Sequence, residues 1–308
     1  MSATPGVVAP SAGRFAVRVL KLAISVVYLL LNWGRAQLRR LQGKSQPGTT
    51  VVLYYHSVPA AYRTRFEEQM KTVARRAAAI DVRSMRSLAE DEHAVAITFD
   101  DALQSFAENA VPVLERLNLP ATVFAVADAM GSQAPWGESY FSPDERVMTV
   151  ETLCNLPRNI VVGSHTLTHA NLVKLTAEDA AREIGESRRR LEEMLGPPVT
   201  LFSFPFGAFD DSTVRQCSAA GYERVFTTEP ELVTAHTDPF VLGRVATDPW
   251  DWRLEFRLKL AGAYCWQPWT RALKNRIRTR FSARDNGTND NGTTPVLAGT
   301  GTAHRSRS

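Results

Sequence analysis

Residues 94–101 read AVAITFDD, and this stretch decides the fold. Six uncharged residues, three of them β-branched, read as a strand buried on both faces, the pattern of a parallel sheet. The run stops abruptly on two carboxylates. Working outward, the same arrangement recurs. Upstream, residues 51–55 (VVLYY) form a second buried run that ends at His56. Downstream lie a helical stretch over 104–117, a strand over 121–126 (ATVFAV) and a looser 131–143 region suited to a lid or rim. A strand at 160–162 then runs into Gly163-Ser164-His165. The pattern next predicts a helix over 176–195. Thr176 is its N-cap, Glu178 and Asp179 its acidic first turn, Ile184, Leu191 and Leu195 its apolar face, and Gly196-Pro197-Pro198 its stop. A strand at 200–204 follows and ends at Pro205-Phe206-Gly207. Polar residues just past the C-terminal ends of strands are the habit of barrel-like α/β enzymes.

A chain of 308 residues that is 44% apolar can fill a core, which excludes disorder, collagen and a disulfide scaffold. Cys154, Cys217 and Cys265 are odd in number and widely spaced, so buried, inert thiols are expected rather than a zinc ribbon. Charge is unevenly divided. Residues 1–50 hold seven basic and no acidic side chains, residues 263–308 hold eight basic and two acidic, and the middle carries 21 basic against 30 acidic. An acidic body between basic ends argues against nucleic acid as a partner and for an anionic membrane surface. Residues 22–33 (LAISVVYLLLNW) are nearly all apolar but fall short of the roughly 20 that cross a bilayer, which suggests an uncleaved anchor or an interfacial helix. Residues 266–281 (WQPWTRALKNRIRTRF) repeat an apolar residue every four positions among arginines and lysines, as a basic amphipathic helix does. Residues 282–308 have a disordered composition, and the N-x-T matches at Asn286 and Asn291 carry no message without a eukaryotic secretory setting. The expected organisation is a basic membrane-proximal segment at 1–48, a catalytic body at 49–262, the amphipathic helix at 263–281 and a tail at 282–308.

Two adjacent carboxylates, Asp100 and Asp101, repel unless a cation or a shared proton relieves them, although an aspartate at a strand end can also be a helix cap. His165 and His169, four apart on one turn, project to the same side. One carboxylate and two imidazoles make a three-ligand metal site with open positions, the layout of a hydrolytic rather than a structural metal. A second carboxylate beside it is placed to act as general base.

Thr98-Phe99-Asp100-Asp101, Ser164-His165-Thr166-Leu167-Thr168-His169 and Phe204-Pro205-Phe206-Gly207, in this order, resemble the motifs of the polysaccharide deacetylase family (NodB homology, carbohydrate esterase family 4). The likeness runs over about 49–260, includes Ala219-Ala220-Gly221-Tyr222, and is nearest to the poly-N-acetylglucosamine and exopolysaccharide branch. The resemblance implies a distorted (β/α)7 barrel, Asp100 as catalytic base, and Asp101, His165 and His169 as ligands of a divalent metal, zinc first and cobalt or nickel as alternatives. It also implies a developing oxyanion received by the backbone N–H of Phe206, and a pocket lined by Pro205, Trp250 and Trp252. Three positions depart from the family pattern. Ala102 stands where a glycine is usual, Ser203 stands where many members carry an arginine, and the Leu-x-His motif that supplies the general acid is missing. Arg244 is the substitute for the arginine, and His56, then His236, for the acid; His93 reads as structural. The implied substrate is an N-acetylated glycan, either a surface polysaccharide or a lipid-linked intermediate. An O-acetyl esterase and a membrane-tethered glycan-binding protein are the alternatives. The expected location is membrane-associated, on either face.

Overall fold

The strand read at 94–99 lies in the middle of a parallel sheet in the computed structural model, which describes residues 12–85, 89–134, 136 and 145–268. From the N-terminus the chain forms α1 (Ala12–Leu41), β1 (Thr49–Tyr55), α2 (Arg63–Arg76), β2 (Ala78–Ala79), β3 (His93–Phe99), α3 (Val111–Arg116), β4 (Ala121–Ala125), α4 (Val150–Cys154) and β5 (Ile160–Ser164). It continues through α5 (Ala177–Leu195), β6 (Leu201–Ser203), α6 (Asp211–Ala219), β7 (Arg224–Phe226), β8 (Leu232–Val233), β9 (Val241–Leu242), β10 (Val245–Ala246) and α7 (Arg253–Leu260). The sheet runs β10-β1-β3-β4-β5-β6-β7-β9, with β2 added beside β3 and β8 beside β1. Every pair along the main path is parallel.

Only Gly243 and Arg244 separate β9 from β10, yet β9 pairs with β7 at one edge of the sheet and β10 with β1 at the other. One broken strand therefore joins both edges. The sheet nearly closes, giving the seven-position α/β barrel that the resemblance implies. The break needs a glycine, because a Cβ at Gly243 would run into the backbone carbonyl of Glu229.

Alternation along the strands splits the core in two. Val51, Leu53, Val95, Ile97, Val123 and Ala125 face the helices, where Phe66, Met70, Val113 and Ile184 cover them. Val52, Ala96, Phe124, Leu201, Phe226 and Leu242 form a separate cluster inside the barrel. Helix α5 follows its sequence signals, with Thr176 accepting from the Asp179 N–H and Gly196 closing it at φ 88°. The helix read over 104–117 is instead broken by a π turn at Phe106–Ala110 ahead of α3.

Burial does not stop at residue 262, since Ala263, Tyr264, Cys265 and Trp266 are all buried. Helix α1 extends 30 residues rather than a dozen, because Arg18 finds a partner instead of ending the run. The amphipathic helix read at 266–281 and the tail at 282–308 fall, beyond residue 268, outside the described residues. Cys217 and Cys265 are buried as expected, and burial pushes the Cys265 thiol up to about 12, but Cys154 is exposed.

Candidate active site

Five strands deliver side chains to one cleft at the C-terminal end of the barrel. β1 delivers His56, β3 delivers Asp100 and Asp101, β5 delivers His165 and, one turn on, His169, β6 leads to Phe204 and Phe206, and β10 leads to Asp248 and Trp250. All of these line one cleft of about 430 Å3, with Trp136 and Thr228 completing its wall.

The backbone here is bent into unusual shapes. Asp101, Ala102, Thr166, His169 and Phe206 all have positive φ, at 70°, 50°, 69°, 64° and 60°. Such conformations cost non-glycine residues about 1–3 kcal/mol each and persist only where the surroundings hold them. The surroundings of the histidine turn include Glu183 of α5, whose carboxylate accepts from the Leu167 and Thr168 N–H groups at 3.0 Å each and from the Thr168 hydroxyl at 2.7 Å. The Thr166 hydroxyl in turn accepts from the His169 N–H at 3.0 Å. Glu183 lies in the middle of α5, where a buried glutamate carries no local sequence signal.

Donor atoms of Asp101, His165 and His169 lie within 4.8 Å of one another, and all three residues are buried. His165 Nδ1 is 2.7 Å from the Ser203 carbonyl, to which it donates, and its Nε2 is turned toward Asp101 Oδ1 at 3.7 Å. His169 has its Nε2 3.3 Å from Asp101 Oδ1, while its buried Nδ1 has no hydrogen-bond partner. Burial first, and then the neighbouring His165, hold His169 down to about 2, so the ring is neutral. Burial also raises the Asp101 carboxyl. Two imidazoles within reach of a buried, otherwise costly carboxylate are the donor set of a divalent cation. The residues fit the metal the motifs imply.

Asp100 sits beside this trio with an opposite electrostatic fate. Burial alone would raise it, but the Arg244 guanidinium, with help from His165 and His56, holds it well below the usual carboxylate range. Arg244 is completely buried. Its Nη1 and Nη2 donate to the two Asp100 oxygens at 2.7 and 2.8 Å. The remaining donors go to Thr98 Oγ1 at 3.2 Å, Ser203 Oγ at 2.8 Å and the Thr227 carbonyl at 3.1 Å. All five N–H groups are used, and the Tyr54 and Phe124 rings lie 4.7 and 5.4 Å from the guanidinium carbon. The arginine that the sequence lacks at 203 thus enters from the broken strand, and Ser203 makes room for it while bonding to it.

Trp136, from the looser 131–143 region, donates its indole N–H to Asp101 Oδ1 at 3.0 Å and stacks on His169 with ring centres 4.5 Å apart. Phe206 closes the other side of His169 at 4.7 Å. As the second residue of a single 3-10 turn (Pro205–Gly207), Phe206 has an N–H with no acceptor inside that turn. Pro205 is buried behind this turn and does not line the cleft. Trp250 lines the cleft; Trp252 does not, packing instead against Phe15 and Arg18 of α1. His236 is exposed in a turn after β8, which pairs with the beginning of β1, so it belongs to the opposite rim. His93 is structural as read, its ring bonding Thr49 Oγ1 and the Leu260 carbonyl at 2.9 Å each.

A nearly closed α/β barrel with a buried Asp-His-His trio and a clamped second aspartate at its C-terminal end is the arrangement that the NodB-type motifs imply. Residues 88–225, a little under half of the chain, match the polysaccharide deacetylase family model. Among its relatives, YxkH of Bacillus subtilis (strain 168) is 25% identical over 218 residues, covering 66% of this chain and 73% of that protein. The poly-beta-1,6-N-acetyl-D-glucosamine N-deacetylase of Staphylococcus epidermidis is 24% identical over 157 residues, 50% of this chain and 54% of that one. This chain therefore matches only about half the length of the staphylococcal enzyme. The solved structure of IcaB from Ammonifex degensii superposes with a TM-score of 0.59 at 22% identity, over 71% of this chain and 98% of that one, which establishes the shared fold.

Proposed function

We propose that this protein is a metal-dependent deacetylase that removes N-acetyl groups from N-acetylhexosamine units of a surface polysaccharide or a lipid-linked glycan, working at a membrane. The observation that carries the reading is the pairing of two differently tuned aspartates in one cleft, Asp101 within reach of His165 and His169 and Asp100 ionised on Arg244. Asp101, His165 and His169 would hold the cation, zinc first. When bound, it supplies Lewis acidity that activates a water and polarises the acetyl carbonyl.

The remaining work falls to this chain's own groups. Asp100 takes the proton from the attacking water, and Arg244 keeps its carboxylate ionised and aimed while it does so. The Phe206 N–H is the candidate donor to the developing oxyanion. His56 lines the same cleft and acts electrostatically on Asp100, Asp101 and Asp248. It is the candidate donor to the departing amine, a role for which His236 is on the wrong rim. Trp250 offers an apolar face to a sugar ring, held by Gln69, whose side-chain amide donates to the Asp248 carbonyl at 2.9 Å.

The full chain supplied with zinc or cobalt should release acetate from N-acetylglucosamine oligomers. Asp100→Asn and His165→Ala should both abolish release, and His56→Ala should lower kcat more than KM. A folded, metal-loaded chain that releases acetate neither from oligomers, nor from acetyl esters, nor from a lipid-linked N-acetylhexosamine substrate overturns the enzymatic reading in favour of glycan binding.

A further inference from the structure

Helix α1 presents three different faces. Arg18, Leu22, Ser25, Leu29, Asn32 and Ala36 follow one another at steps of four and three residues, so they share one side of the helix. That side is docked on the body. Arg18 Nε and Nη2 donate to Glu255 at 2.8 and 2.5 Å. The buried Ser25 hydroxyl accepts from the Trp266 indole at 2.9 Å, Leu22 and Leu29 pack against the core, and the Ala36 carbonyl accepts from Gln46 at 3.3 Å. The contact from Arg18 to Ala36 covers about 27 Å of helix at 1.5 Å per residue.

The opposite side is apolar and exposed. Leu20, Ile24, Val27, Leu31 and Leu38 lie there, with Val27 and Leu31 at 55% and 57% exposure, and the exposed apolar surface continues round the flank away from the cations through Val19, Leu30 and Trp33. Along one flank between the two sides run Arg14, Lys21 and Arg35, at steps of seven and fourteen residues, with Arg39 one turn further on. The helix contains no acidic residue.

By length and composition this helix could also cross a bilayer. The docked side argues against that orientation. A spanning helix would have to strip Arg18 from Glu255 and bring Arg18, Lys21 and the Ser25–Trp266 contact to membrane depth, where a charge costs several kcal/mol. An exposed apolar face bordered by cations, on a helix already fixed to a globular body, matches instead the interface between acyl chains and anionic headgroups.

We infer that α1 is an in-plane membrane helix that stays docked on the barrel, with its outer face (Leu20, Ile24, Val27, Leu31 and Leu38) in the acyl boundary of an anionic bilayer and its Arg14–Lys21–Arg35–Arg39 flank at the headgroup phosphates. The same helix abuts the wall of the cleft, because Arg18 also donates to the Trp250 carbonyl at 3.4 Å and Trp250 lines that cleft. Bilayer attachment thus sets the cleft beside the membrane surface. The inference uses no feature of the chemistry, so it stands or falls apart from the deacetylase reading.

The test is co-sedimentation of the full chain with vesicles of phosphatidylcholine containing or lacking phosphatidylglycerol. Binding should be about tenfold or more tighter to the anionic vesicles, as expected when several cations reach the headgroups. Val27→Glu with Leu31→Glu should abolish binding while leaving the melting temperature unchanged, since both side chains are exposed. Replacing Arg14, Lys21, Arg35 and Arg39 by Gln should remove the anionic preference. Orientation is read in a Cys154→Ser background by an impermeant maleimide added outside the vesicles, which should label Ser2→Cys and Lys44→Cys equally. Three results each overturn the inference: no binding by a monomeric chain, labelling of only one of the two positions, or a dimer that the Val27 and Leu31 substitutions dissociate, which would assign the face to a second copy.

Discussion

Arg244 and Arg18 each donate to a carboxylate at 2.5–2.8 Å and each lie near an aromatic ring, yet they do different things. Arg244 is sealed inside the barrel, while the Arg18 side chain is 27% exposed at the outer surface. The difference teaches what each pair is for. A fully buried ion pair is weak evidence of stabilisation, because desolvating two charges offsets their attraction; its consequence is specificity, since neither partner tolerates losing the other. At Arg244 that specificity fixes the protonation and direction of Asp100. At Arg18 water still reaches the pair, and what the pair fixes is the position of a helix.

The comparison is most easily broken at Arg244. Arg244→Met should lower unfolding stability in denaturant by about 3–5 kcal/mol by leaving Asp100 buried without its cation, and should abolish turnover. Arg244→Lys should not restore turnover, because a point charge cannot reproduce the two-pronged contact. Equal activity of the lysine variant would show that charge alone suffices. Arg18→Gln should cost less, about 1–2 kcal/mol, with faster amide exchange confined to 12–41 as its signature. Uniform acceleration across the barrel would mean that α1 is part of the core rather than a docked element. Ser203→Ala should be the mildest change, about 1 kcal/mol, since Arg244 keeps both contacts with Asp100. A larger loss of activity than of stability there would make Ser203 a positioning residue in its own right.

The parts of the site legible in the sequence were those whose geometry is local. Asp100 and Asp101 are neighbours, and His165 and His169 are one turn apart, so spacing brings each pair together before any tertiary contact is known. Arg244 was reachable only through Ser203, a place where the expected cation was missing. Trp136 was not legible. A lone tryptophan in an irregular stretch has no period to betray which side it faces, and its partners Asp101 and His169 lie 35 and 33 positions away in the chain. Histidines suffered the same limit, because order along the chain does not say which rim a loop occupies, and so His236 was a candidate beside His56. Trp250 and Trp252 are two apart, but only the fold shows that one looks into the cleft and the other toward α1. In α1 itself, Arg18 and Lys21 mark the end of an apolar run, whereas Glu255, 237 residues from Arg18, gives that arginine a partner within the continuing helix.

The broken strand has a consequence for synthesis on the ribosome. Asp100, Asp101, His165 and His169 all emerge before residue 170, and β1 through β7 are complete by residue 226. Until Gly243-Arg244 follow, the barrel has an open edge and Asp100 has no cation to hold it. A nascent chain halted between these points would carry the Asp101, His165 and His169 trio but an unclamped Asp100, so closure of the barrel and clamping of Asp100 arrive in a single late event.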